Sequence, residues 1–221
     1  MKAVIFDLFG TLCSSVDPEK SIIEKFKVDG FDYKVIENVV CGYKFDNWEN
    51  FFKSIAKTIS IGETKDNFSI LEEIFQNAFD NCYFFSVAQK VLINLKEQGY
   101  LIGLISNSFP GSRRLIERAE LIKYFENNAL FLSYEIGMLK PNPQIFTKCL
   151  DAMGIEAINT VMVGDDLEND IKASKQATNG KIGGILVSKN QLIAQSRVND
   201  FIVIRDLEEL VAAIRFHFSS K

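Results

Sequence analysis

Two hydrophobic periodicities alternate along this chain. Short, nearly continuous apolar runs recur at 3–6, 101–105, 129–132, 160–163 and 183–187. Such runs predict strands covered on both faces. A sixth run, at 201–204, predicts a short edge strand. Between them the apolar spacing lengthens to helical values. Val87, Val91 and Leu95 share a face that Gly99 closes. Leu207, Leu210, Val211 and Ile214 share another behind Asp206, a candidate N-cap. Strands alternating with helices predict an α/β fold with a parallel sheet.

The stretch 15–83 breaks this alternation, because it holds no strand-like run. Asp17-Pro18 has the form of a helix start, with Asp as N-cap and Pro in the first turn. Asn47 opens another helix, in which Phe51, Ile55 and Ile59 share a face. Leu71, Ile74, Phe75, Ala78 and Phe79 form a third stripe. The expectation is an inserted all-α bundle of about four helices over 15–83, and a core formed by 1–14 and 84–221. Such an insertion can lie as a lid over the carboxyl ends of the strands. Phe45, Trp48, Phe51 and Phe52 are read as the bundle's own core. Lys44 and Lys53 are read as solvated surface, with reach toward a second anionic group as the alternative.

Composition narrows the chemistry more than the fold. The chain has 221 residues, 47% hydrophobic and 24% charged, with a net charge of −4. That balance is ordinary for a globular protein and argues against nucleic acid or an anionic membrane as a partner. No apolar run approaches the roughly 20 residues of a membrane span. The first strand reaches an acidic residue at position 7, too early for a secretory leader. Cys13, Cys41, Cys82 and Cys149 lie far apart, which suggests reduced thiols and a cytoplasmic setting. The single histidine, His217, stands near the C-terminus and weighs against Ser-His-Asp, Cys-His and His-ligated metal chemistry. Carboxylates, lysines and hydroxyls must carry any reaction.

Those groups sit where the predicted strands end. Asp7 follows the first strand and Ser106-Asn107-Ser108 the second. Lys140-Pro141-Asn142-Pro143 comes after the third. Gly164-Asp165-Asp166, with Asp170, follows the fourth. In a parallel sheet these ends share one edge, so distant positions converge on one pocket. Taken singly, each has a plainer reading: a cap, a turn, a loop lysine. Asp165-Asp166 alone would be a turn and the N-cap of a helix near 168–177. Together, Asp7, Asp165, Asp166 and Asp170 would repel one another unless a cation neutralised them. All-oxygen ligation favours Mg²⁺ over zinc. Lys140, Ser106 and Asn107 would then bind phosphoryl oxygens, and Asp7 would attack phosphorus.

Asp7 with Gly10-Thr11-Leu12, Ser106-Asn107, Lys140-Pro141-Asn142-Pro143 and Gly164-Asp165-Asp166 with Asn169-Asp170 resemble, in this order, the motifs of the haloacid dehalogenase-like hydrolase superfamily. The resemblance implies a Rossmann-like core with a helical cap inserted after the first motif. It implies catalysis by Asp7 and Lys140, and substrate binding by Thr11, Ser106, Asn107 and Lys140. It also implies Mg²⁺ held by Asp7, the main-chain carbonyl of Phe9, and the acidic group Asp165, Asp166 and Asp170. The expected enzyme is a phosphatase acting on a small phosphorylated metabolite, as a monomer or homodimer.

One residue departs from that pattern. Typical phosphatases of the superfamily carry a second Asp two residues after the nucleophile, where this chain has Phe9. That Asp protonates the leaving oxygen and activates water. Its loss typically costs ~10² to 10⁴ in rate, least for acyl or aryl leaving groups. Three other readings follow: a 2-haloacid dehalogenase, a carbon–phosphorus hydrolase, and a weakly active binding module. Dehalogenases use no metal, have Ser-Asn in the fourth motif, and place an arginine early in the cap. Here the fourth motif is acidic and the first arginine is Arg113.

Overall fold

The computed structural model describes residues 1–28, 30, 32–188 and 201–219. Six parallel strands form one sheet in the order β3-β2-β1-β4-β5-β6. They are β1 (Ala3–Phe6), β2 (Leu101–Ser106), β3 (Leu130–Leu132), β4 (Thr160–Gly164), β5 (Gly183–Val187) and β6 (Ile202–Ile204). All six predicted runs are strands, within one residue at each end, and the last lies at the edge as expected.

The continuous apolar runs divide between two faces because successive side chains of a strand point opposite ways. Val4 and Phe6 of β1 pack with Ile102, Leu104, Val161 and Val163 beneath α5 (Ser86–Glu97), α6 (Ser112–Arg118) and α10 (Leu210–Ser219). Ala3 and Ile5 face the other way, toward Ile145, Phe146 and Cys149 of α8 (Pro143–Met153) and Ala173 of α9 (Ala173–Ala177). A Cβ at Gly103 would stand 2.8 Å from Met153 Sδ, so this glycine lets α8 lie close on the sheet.

Between β1 and β2 the chain inserts α1 (Pro18–Phe26), α2 (Tyr33–Cys41), α3 (Trp48–Thr58), α4 (Lys65–Asn81) and α5. The caps are those the residues predict. Asp17 accepts from the Lys20 amide with Pro18 in the first turn, and Asn47 accepts from the Asn50 amide. The first four helices bury Ile22, Ile36, Phe51, Ile55, Leu71 and Phe75 in an apolar core of their own, whereas α5 returns to the sheet. Phe45 and Trp48 pack on that core, Trp48 meeting Phe51 and Phe52 at ring distances of 5.5 Å. Lys53 is half-exposed and pairs with Glu49. The two crossing segments are paired, through Ser14 N to Tyr83 O and Phe85 N to Leu12 O.

A short α7 (Ser133–Ile136) follows β3. The helix expected near 168–177 differs in kind. Its first part, Leu167–Lys172, is π-helical, and only then does α9 begin. This wider turn lies next to the acidic residues, where such geometry often accompanies function. All four cysteines are free and buried. Among the described residues, no helix is long and apolar enough to cross a membrane.

Candidate active site

The sheet order reverses between β1 and β4, and open α/β sheets bind ligands at the carboxyl end of such a switch point. Asp7 leaves β1 at that point, its amide donating to Val163 O of β4 at 2.9 Å. β4 ends one residue before Asp165. Two glycines permit the approach. Gly10 has φ of +81°, and a Cβ there would stand 2.1 Å from Asp165 Oδ2. A Cβ at Gly164 would meet Asp170 Oδ2 at the same distance. Side chains at these positions would expel the carboxylates that the site gathers.

Carboxylate oxygens of Asp7, Asp165 and Asp170 lie within 4.8 Å of one another. Lys140 Nζ donates to Asp7 Oδ1 at 2.5 Å and to Asp170 Oδ1 at 2.6 Å, and all three side chains are buried. Thr11 Oγ1 lies 3.2 Å from Asp7 Oδ2 and 3.4 Å from Asp165 Oδ1. A hydroxyl has one proton, so it can satisfy only one of these carboxylates at a time. Three carboxylates therefore face one ammonium and one hydroxyl proton from side chains, with the Asp166 amide donating to Asp170 Oδ2 at 3.0 Å.

The ionisation of these groups reflects that shortage. Burial raises the pKa of Asp7, and Asp165 adds to the shift against the pull of Lys140. Burial and the Asp7 charge push Asp170 up to about 7, although Lys140 opposes them. Asp165 opens to solvent but is still crowded by protein, which with Asp170 pushes it up to about 6. Burial opposes the charge on Lys140, but Asp170 and Asp7 outweigh it and raise its pKa. A cavity of about 560 Å³ opens beside Gly10, Thr11 and Asp165.

The remaining sequence candidates take other places. Asn107 clamps the Lys140 main chain, its Oδ1 accepting from Lys140 N at 2.8 Å and its Nδ2 donating to Lys140 O at 3.1 Å. Ser106 is buried at the end of β2, its hydroxyl donating to Asn107 O. Asp166 is exposed and does not join the cluster. Its oxygens accept from Glu168 N, Asn169 N and Asn169 Nδ2, so it caps the turn that carries Asp170. Phe9 turns its ring away to stack on Phe109 at 5.7 Å, and Phe109 meets Phe75 and Phe79 of α4. One contact has no sequence signal: Glu37 of α2 accepts from Asn107 Nδ2 at 3.3 Å. Arg113 forms a two-pronged pair with Glu135.

This geometry agrees with what the chain is similar to. Residues 1–178 match the haloacid dehalogenase-like hydrolase family. A glyceraldehyde 3-phosphate phosphatase of Pyrococcus abyssi is 40% identical over 89 residues, which span 40% of this chain and 37% of that protein. Its counterpart in Methanothermobacter thermautotrophicus is 31% identical over 191 residues, 80% of this chain and 79% of the relative. The N-acylneuraminate-9-phosphatase of Mus musculus is 25% identical over similar shares. Two solved structures share the fold. A HAD phosphatase from Thermococcus onnurineus has a TM-score of 0.64 at 22% identity, covering 96% of this chain and 97% of the other. A 2-haloacid dehalogenase from Pseudomonas syringae pv. Tomato has a TM-score of 0.65 at 19% identity, covering 98% and 99%. The helices between β1 and β2 occupy the position of the cap that follows the first motif in this fold. An acidic cluster at the switch point and a family match through four-fifths of the sequence lead to one conclusion: the chain belongs to the haloacid dehalogenase-like hydrolases.

Proposed function

We propose that this hydrolase is a Mg²⁺-dependent phosphatase of small phosphorylated metabolites, with 15–83 as the cap over a core of 1–14 and 84–221. The observation that carries the reading is Asp7 itself, a buried carboxylate held from one side by Lys140 and from the other by Thr11. Lys140 fixes Oδ1, so Oδ2, with only the longer Thr11 bond, is the atom that attacks phosphorus. An aspartyl-phosphate forms on Asp7 and is then hydrolysed. Lys140 and the Asn107 loop hold phosphoryl oxygens, because that transition state needs positioning and charge stabilisation above all.

The donor set suits a hard dication. Asp7, Asp165 and Asp170 supply only oxygen, and burial leaves their charges short of counter-charge. Asp7, Asp165, Asp170 and the Phe9 carbonyl would hold Mg²⁺, whereas the Asp166 carboxylate is engaged in its cap. When bound, the ion would neutralise these carboxylates and offset charge on the phosphoryl group. The acidic fourth motif and the Arg113–Glu135 pair both weigh against a dehalogenase, which would want an arginine for the substrate carboxylate.

The deciding measurement is a side-by-side screen of acetyl phosphate, glyceraldehyde 3-phosphate, a 2-haloacid and phosphonoacetaldehyde, with and without Mg²⁺. Mg²⁺-dependent phosphate release from the first two is expected. Release of halide, or of phosphate from the phosphonate alone, would overturn the reading.

Stability should report the cation independently. The unfolded carboxyls titrate near ~4. Asp170, raised to about 7, and Asp165, raised to about 6, keep protons in the folded state that the unfolded chain has lost. Their contribution is full below the unfolded value and is lost as pH rises through 6 to 7. Asp170 leads this effect, since Asp165 opens to solvent. Without metal, the melting temperature should therefore fall between pH 5 and 7.5. Added Mg²⁺ should raise it more at pH 7.5 than at pH 5, and less in Asp165→Asn. Equal Mg²⁺ shifts at both pH values would count against this metal site.

A further inference from the structure

An alkyl phosphate leaves slowly unless its departing oxygen is given a proton. Among the described residues of the core, the acidic groups have other work, Asp165 being assigned above to the cation. Asp7 attacks, Asp170 is held by Lys140 and the Asp166 amide, Asp166 caps its turn, and the Phe9 ring lies against Phe109. One carboxylate comes from the opposite side. Glu37 rides on α2, flanked by the buried Ile36, Val39 and Val40 that hold the helix in place. Its Oε1 is 3.3 Å from Asn107 Nδ2, and Asn107 clamps Lys140, whose Nζ touches Asp7. Glu37 is half-exposed, unlike the buried Ile36, Val39 and Val40 beside it.

With the phosphoryl group on the core side, the leaving group must lie toward the insertion, which is where Glu37 stands.

We propose that Glu37, carried by the insertion, is the general acid and base that position 9 lacks; the proposal rests on the phosphatase reading above. As Asp7 Oδ2 bonds to phosphorus, the phosphorus–ester oxygen bond breaks and its electron pair passes to the leaving oxygen. That oxygen takes the Glu37 proton and departs as an alcohol. The Glu37 carboxylate then takes a proton from water as the water oxygen attacks phosphorus. The bond between phosphorus and Asp7 breaks, inorganic phosphate leaves, and both side chains return to their starting forms.

The test compares kcat/KM for glyceraldehyde 3-phosphate and for acetyl phosphate, with the full chain and Mg²⁺. This constant reports steps up to departure of the leaving group, and acetate leaves without a proton. Glu37→Gln keeps the oxygen that accepts from Asn107 but cannot deliver a proton. The ratio of the two constants, alkyl over acetyl, should fall by ~10² to 10⁴ in Glu37→Gln. Phe9→Asp in that background should recover part of it. An unchanged ratio, with or without a common loss on both substrates, would overturn the role and leave Glu37 as a support for Asn107. Wild-type turnover of acetyl phosphate with none of the alkyl ester would overturn it while leaving the phosphatase reading standing. Turnover of neither would overturn both.

Discussion

Asp7→Asn is expected to lower phosphatase turnover by at least ~10⁴-fold, with the fold intact. The amide matches the carboxylate in shape: its single oxygen still accepts from Lys140 Nζ, and its NH2 donates to the Thr11 Oγ1 that had donated to Asp7, so the contacts at the end of β1 survive. The variant loses only a nucleophilic oxygen and a negative charge. Burial already disfavours that charge, as the raised pKa of Asp7 shows. Metal-free Asp7→Asn should therefore melt no lower than the wild type at pH 7.5. Full loss of turnover with an undiminished melting temperature identifies Asp7 as the reacting group. Residual turnover within tenfold of wild type would remove it from that role.

Lys140→Met should produce the largest change in stability. Lys140 is the shared partner of Asp7 and Asp170, and all three are buried. Removing one member of a buried ion pair leaves an uncompensated charge, at a cost of about 3–5 kcal/mol. For a chain of this size that corresponds to a fall in melting temperature of roughly 6–20 °C. Asp170→Asn should recover part of the loss, since it removes one of the stranded charges. Lowering the pH toward 5 should recover part of it too, because a protonated carboxyl no longer needs the ammonium. Calorimetry of the single and double variants at both pH values checks these expectations. A Lys140→Met protein as stable as the wild type would mean that the triad is not built around this ammonium. Activity should fall with it, through loss of the charge that steadies Asp7 and the phosphoryl oxygens.

The contrast between Asp165 and Asp166 shows where sequence reading stops. Both follow the same strand, and by residue type both are candidates for the metal. A carboxylate before a helix can cap it or face the site, and residue type is the same in either case. Asp166 bonds its own turn, whereas Asp165 faces Asp7 across Gly10. That outcome depends on how the β1 and β4 loops approach, which is a contact between residues more than 150 positions apart. The π-helical turn after Asp166 was likewise invisible, because its spacing of apolar residues fits an ordinary helix.

By itself the sequence determined the strands, the helix caps, the insertion after the first strand, and the motifs that a parallel sheet must bring to one edge. These follow from short-range rules: the period of apolar residues, and the few side chains able to satisfy a helix end. Packing in three dimensions sets which carboxylates share Lys140, stacks the Phe9 ring on Phe109, and brings Glu37 onto Asn107. Those are meetings between distant segments, selected by packing of the inserted helices against the sheet edge. No local pattern encodes them, because each partner alone satisfies the same propensities wherever it is placed.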